Sequence, residues 1–164
     1  MKRFTITISF VLVAFLVVGC GCKKKETEKS KSNDKITKVI SNLKISDSKI
    51  FEGLDIINDN TLETILGINK NFVEEYSIGM SKYNYDKLYA IIKPKKGQEE
   101  SIKMAMKLYI DAAKEQYKDY KVEDGIDYKK LYDEYLYEEY KGYQIYIVSE
   151  NNKEVLSEIK KLIK

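Results

Sequence analysis

Apolar residues change their spacing several times along this chain, and each change marks an element. Ile36, Val39, Ile40 and Leu43 recur at helical intervals behind Asn33-Asp34, which can cap a first turn. A short amphipathic helix is expected there. Asn60 to Gly67 carries a cap residue at one end and a glycine stop at the other, which predicts a helix of a couple of turns. From Glu74 the period becomes two. Tyr76, Ile78 and Met80 fall on one face, and Glu75, Ser77 and Gly79 on the other, as in a half-buried strand. Leu88 to Ile92 is apolar throughout and reads as a central strand ended by Pro94, pairing with the previous one as a hairpin.

After Gly97 comes the longest periodic run, with Ile102, Ala105, Met106, Tyr109, Ala112, Ala113, Tyr117 and Tyr120 along one side of a helix. An acidic turn at Asp124-Gly125 then leads through Tyr128 to Tyr132 into a second hairpin. Its strands are Tyr135 to Tyr140 and Tyr143 to Val148, joined at Lys141-Gly142. A last helix, capped by Asn151 or Asn152, turns Val155, Leu156, Ile159, Leu162 and Ile163 inward. The order α, short α, then ββα twice predicts an α+β fold. The expected form is a two-layer sandwich, a four-stranded antiparallel sheet with helices on one face. On its last strand the face bearing Ile145 and Ile147 is expected under the helices, with Tyr146 and Val148 facing out.

Ahead of the domain the pattern is of another kind. Lys2-Arg3, the apolar run Phe4 to Val18 and a small residue before Cys20 form an export signal. The run is short for a span of about 20 residues, and Thr5, Thr7 and Ser9 interrupt it. Val17-Val18-Gly19-Cys20 is similar to the lipobox of bacterial lipoproteins, in which the cysteine thiol takes a diacylglycerol and becomes the mature N-terminus. The alternative register on Cys22 puts Gly19 where an aliphatic residue belongs. Residues 1–19 are therefore read as signal peptide, 20–33 as the lipidated cysteine with a lysine-rich tether, and 34–164 as one domain. The tether has no apolar side chain after the cysteines and nothing to bury. Its lysines can also meet anionic headgroups, at about 1 kcal/mol per charge near the surface.

Charge and composition narrow the chemistry. Setting aside Lys2 and Arg3 of the signal and the tether's five lysines and two glutamates leaves 22 lysines against 24 acidic residues. The domain is slightly acidic. Arg3 is the only arginine, so the exported part lacks the bidentate fork that holds phosphates and guanine edges, and nucleic acid is not an expected partner. Histidine is absent, which closes histidine-based triads and histidine metal sites. No cofactor or metal is expected. Glu123, Asp124 and Asp127 lack the ligand spacing of a calcium loop, and Glu138-Glu139 point to opposite faces of a strand.

Nine of the fourteen tyrosines lie between Tyr117 and Tyr146. Two readings of the second hairpin stand side by side. Tyrosine is a strong strand former, so the rings can serve packing alone. An apolar ring with a polar tip also suits a surface that stacks on sugars or receives a peptide strand, with Tyr135, Tyr137 and Tyr146 as the candidate ligand contacts.

The segment from Leu62 to Lys164 resembles DUF4358, a lipoprotein family of clostridia and their relatives. The likeness runs through Leu62-Glu63-Thr64-Ile65-Leu66-Gly67-Ile68, Val73-Glu74-Glu75-Tyr76 and Leu88-Tyr89-Ala90-Ile91-Ile92-Lys93. It continues through the helix ending Gln116-Tyr117-Lys118-Asp119-Tyr120 and the strand pair around Lys141-Gly142-Tyr143. Members of that family usually carry a lipobox ahead of the domain, and the family has no assigned activity. The resemblance implies an address and no catalytic residues. The expectation is a membrane-anchored, non-enzymatic binding or accessory module on the outer face of a Gram-positive membrane, with a cell-wall or envelope protein partner. Its rival is an envelope enzyme restricted to carboxylate and lysine chemistry.

Overall fold

The computed structural model describes residues 39–40, 49–82, 85–119 and 125–163. These belong to one unit, Lys31–Lys164. The signal, Cys20, the tether and the expected boundary at Asp34 lie outside the described residues. So do Ile36 and Leu43 of the first expected helix, Tyr120, and the acidic pair Glu123 and Asp124. Val39 and Ile40 are helical and buried, as their spacing predicts.

The elements run β1 (Leu54–Ile56), α1 (Asp59–Thr64), β2 (Val73–Ser81), β3 (Leu88–Pro94), α2 (Glu99–Tyr117), α3 (Tyr128–Asp133), β4 (Leu136–Tyr140), β5 (Tyr143–Val148) and α4 (Asn152–Leu162). The sheet is antiparallel, in the order β1-β2-β3-β5-β4. The α+β class stands, but the sheet has five strands where four were expected. The extra one, β1, is three residues long and too short to show a period. It pairs Leu54 with Ser81 and Ile56 with Gly79. Tyr128–Asp133 is a helix where the stretch Tyr128 to Tyr132 was expected only as the lead into the second hairpin, with the Asp127 side chain accepting from Lys130 N at 2.9 Å. Helix α1 is capped two residues earlier than expected, by Asn58, which accepts from Thr61 N at 3.1 Å.

The larger correction concerns layers. Helices cover both faces of the sheet, so the two-layer reading with helices on one face does not hold. On one face Ile78, Leu88, Ala90, Ile92, Tyr146 and Val148 pack with Ile102, Met106, Ile110 and Tyr117 of α2 and with α3. On the other, Tyr89, Ile91, Ile145 and Ile147 pack with Val39, Ile40, Phe51 and with Val155 and Ile159 of α4. Alternate residues of β3 and β5 thus feed two cores, which is why both strands are apolar without interruption. Strand β2 is likewise covered on the side of Glu75, Ser77 and Gly79, all three buried. Ile40 N donates to Ser77 Oγ at 3.1 Å. On α2 the inward stripe includes Ile110, while Ala112 is exposed; on α4, Leu162 faces water and Ile163 turns in.

The turn of the second hairpin is as its sequence predicts. Lys141 and Gly142 both take positive φ, 51° and 81°, which makes the two-residue type I′ connection that suits twisted strands. Tyr140 consequently pairs with Tyr143, and the register continues without a bulge to Leu136 and Ile147.

Candidate functional site

Two turns lie side by side at one end of the sheet. In the first, α3 ends at Asp133 and the chain passes through Glu134 and Tyr135 into β4. In the second, β5 ends at Val148 and Ser149 to Asn151 lead into α4. Polar side chains tie them together. Asn152 Nδ2 donates to Glu134 O at 2.8 Å, while Ser149 Oγ donates to Asn152 Oδ1 at 3.0 Å and accepts from Asn151 N at 3.2 Å. The buried Ser149 therefore fixes the start of α4, whose cap Asn151 contributes no side-chain bond of its own.

Between the turns runs a groove of about 980 Å³, lined by both turns, by the starts of β4 and α4 and by Asp127 and Lys130 at the start of α3. Its rim carries Asp127, Glu134, Glu150 and Glu154 against Lys130 and Lys153, all exposed. None of these six forms an ion pair with another described residue. The groove is therefore polar, net acidic, and furnished with amides and hydroxyls. Such a surface can hold a cationic or many-donor ligand through hydrogen bonds, with ring contact at one wall.

Tyr135 and Tyr137 line this groove, and Tyr146 does not. The expectation that the three form one ligand face is corrected for Tyr146, which is 2% exposed inside the α2 core. Its hydroxyl donates to Gln144 Oε1 at 3.0 Å, and its ring lies 4.9 Å from that of Tyr137. Cross-strand pairing of Tyr137 with Tyr146 on a helix-covered face brings this about. Tyr137 is half-buried, its hydroxyl donating to the Glu139 carboxylate and its ring approached by Lys103 Nζ at 5.0 Å. Burial first, then the Glu139 bond, push its phenol well above the usual range; burial does the same for Tyr146. Both stay neutral. Tyr135 is half-buried, and its hydroxyl has no hydrogen-bond partner among the described residues. It is the tyrosine of the three best placed to meet a ligand.

A second polar feature lies away from the groove. Glu75 is the one buried charged residue among those described. Its Oε1 accepts from Tyr143 OH at 2.5 Å, and Oε2 has no partner among the described residues. Neither residue lines the groove. Sequence reasoning missed both this pair and the groove's carboxylates. Glu134, Glu150 and Glu154 are spread over two turns and the start of α4, and their one sequence signal, the polar cluster from Ser149 to Asn152, marks a turn but not its neighbour.

No group of three or more potential metal ligands converges among the described residues, where Asp127 serves as a helix cap. No described helix is long and apolar enough to cross a membrane. Comparison with family models, curated proteins and solved structures finds no match.

Proposed function

We propose that the chain is an extracytoplasmic lipoprotein, held on the outer face of the cell membrane by a diacylglycerol on Cys20, and that its folded part is a non-enzymatic binding module. The lipobox and the resemblance to the DUF4358 lipoproteins support the address. Two acyl chains make a stable anchor, since each buried CH₂ contributes about 0.8 kcal/mol and a single chain is marginal. One observation carries the binding reading: the acidic groove between the α3–β4 and β5–α4 turns, with the unpaired Tyr135 hydroxyl in its wall. General acid–base chemistry works best with a shielded carboxyl facing the ligand cavity. The one shielded carboxyl among the described residues, Glu75, is not in that cavity, which favours binding over the enzyme reading.

Two experiments test the parts separately. Metabolic labelling with a fatty acid is expected to disappear in Cys20→Ala and to persist in Cys22→Ala; labelling that persists in Cys20→Ala overturns the anchor. For the groove, a photo-crosslinking amino acid is placed at Tyr135 in the membrane-anchored protein, with Glu63 on α1 as the control position. Adducts in intact cells are expected from position 135 alone. Equal adducts from both positions, or none from 135, overturn the groove as the ligand site.

A further inference from the structure

The outer edge of β4 supplies what the groove alone does not, a template for a particular class of ligand. The type I′ turn fixes which backbone groups of β4 face β5. In a two-residue hairpin the residues flanking the turn exchange both of their hydrogen bonds, and the pattern alternates from there. Tyr140, Glu138 and Leu136 therefore bond to Tyr143, Ile145 and Ile147. The N–H and C=O of Glu139 and Tyr137 point the other way, out of the sheet. They have no described backbone partner, β4 being the last strand.

Natural sheets blunt such edges with proline, bulges, very short strands or charged side chains, lysine above all. The opposite edge, β1, follows that rule at three residues. Strand β4 has five residues, no proline and an unbroken register, and its charges are the glutamates Glu138 and Glu139, which leave the edge open to a cationic strand. Its outward groups also lead into the groove, because Tyr135, Leu136 and Tyr137 belong to the edge and to the groove wall alike. Acidic charges are in excess beside it, Asp127, Glu134, Glu150, Glu154 and, on the edge itself, Glu139, against Lys130, Lys153 and Lys103, whose ammonium lies 5.0 Å from the Tyr137 ring.

We propose that β4 is a docking edge, where an extended lysine-bearing segment of a partner protein adds as a further strand and continues into the acidic groove. The inference rests on the groove being the ligand site and names the class of ligand. Backbone hydrogen bonds give the contact its geometry, and the carboxylates select lysine over acidic side chains. Outward-facing groups recur about every 6.8 Å along the edge, so a segment of five to seven residues, roughly 17–24 Å extended, spans Tyr135 to Glu139 and enters the groove.

The test uses the full-length lipidated protein in detergent. The probe is a fluorescent heptapeptide alternating lysine with valine, beside its glutamate counterpart and two forms N-methylated on one or the other set of alternate nitrogens. The lysine peptide is expected to bind at least about 10-fold tighter than the glutamate one. One methylated form should lose binding by a similar factor while the other is tolerated, because only one set of N–H groups faces β4. On binding, amide exchange should slow at Tyr137 and Glu139. In Glu134→Gln/Glu154→Gln, binding should weaken several-fold with the exchange pattern kept. Absence of binding, or binding indifferent to both methylations, overturns strand addition. Crosslinks from position 135 that persist in that case leave the groove standing as the site for another ligand, so the two failures are told apart.

Discussion

Tyr143 and Glu75 show how one side-chain pair can constrain a fold. Glu75 is 7% exposed, and its carboxyl has one hydrogen bond among the described residues, from Tyr143 OH at 2.5 Å. Burial, and then this bond, hold the Tyr143 phenol well above its usual range, so the hydroxyl remains a donor. A buried carboxyl that loses its single donor suffers the full cost of desolvation, about 1–3 kcal/mol and more for a charge. Tyr143→Phe is therefore expected to lower stability by about 2–3 kcal/mol in urea unfolding. Glu75→Gln in the same background should recover most of that, since a neutral amide is cheaper to bury. An unchanged deficit in the double variant would place the cost in ring packing instead. None of this was legible in the sequence. The partners are 68 positions apart, and alternation assigned Glu75 to a polar face that the structure covers.

At the scale of elements, β2 to β5 and the long helices were legible from alternation, unbroken apolar runs or helical spacing, while β1 and the faces that the elements bury were not. Leu88 to Ile92 and Ile145 to Val148 are apolar at every position, which already says that both sides are covered. The order ββα names a helix's neighbours in the chain but not the side of the sheet it crosses, so Tyr146 was expected outside and is inside. Gly79 is the clearest trace of the second helical layer. A Cβ there would stand 2.7 Å from Ile40 Cγ2 and 3.4 Å from Leu54 Cδ1. Ile40 is fully buried and β-branched, so it has little freedom to retreat. Gly79→Ala is expected to cost about 1–3 kcal/mol by overpacking, and Ile40→Val in that background should return part of it only if the δ-carbon is what blocks retreat. Faster amide exchange at Ile40, whose N–H donates to Ser77 Oγ, with Ile91 and Tyr146 unaffected, would place the damage at this contact. A uniform rise in exchange would mean that the segment and sheet melt together.

For the molecule as a whole, the absence of histidine and the distribution of tyrosine set an unusual pH response. No imidazole titrates near neutrality, so folding should be little affected between about pH 6 and 9. Above that range the phenols take over. Burial, as the largest cause, raises Tyr89 on the α4 side of the sheet and Tyr109, Tyr132 and Tyr146 on the α2 side well beyond the ordinary value of about 10. A raised phenol means that the folded chain keeps a proton which the unfolded chain releases. The stabilisation is therefore complete below about pH 10 and falls as pH rises towards the folded values, at up to about 1.4 kcal/mol per pH unit for each such group. Both cores contribute, so the loss should be cooperative and not confined to one layer. The melting temperature is expected to vary by no more than about 3 °C from pH 6 to 9 and then to drop steeply above pH 10. The part of the phenolate ultraviolet band that belongs to these four of the fourteen tyrosines should appear together with the loss of helical circular dichroism. A band that develops fully near pH 10 while the circular dichroism holds would show these four hydroxyls ionising within the folded chain, and the burial assigned to them on both faces of the sheet would be wrong.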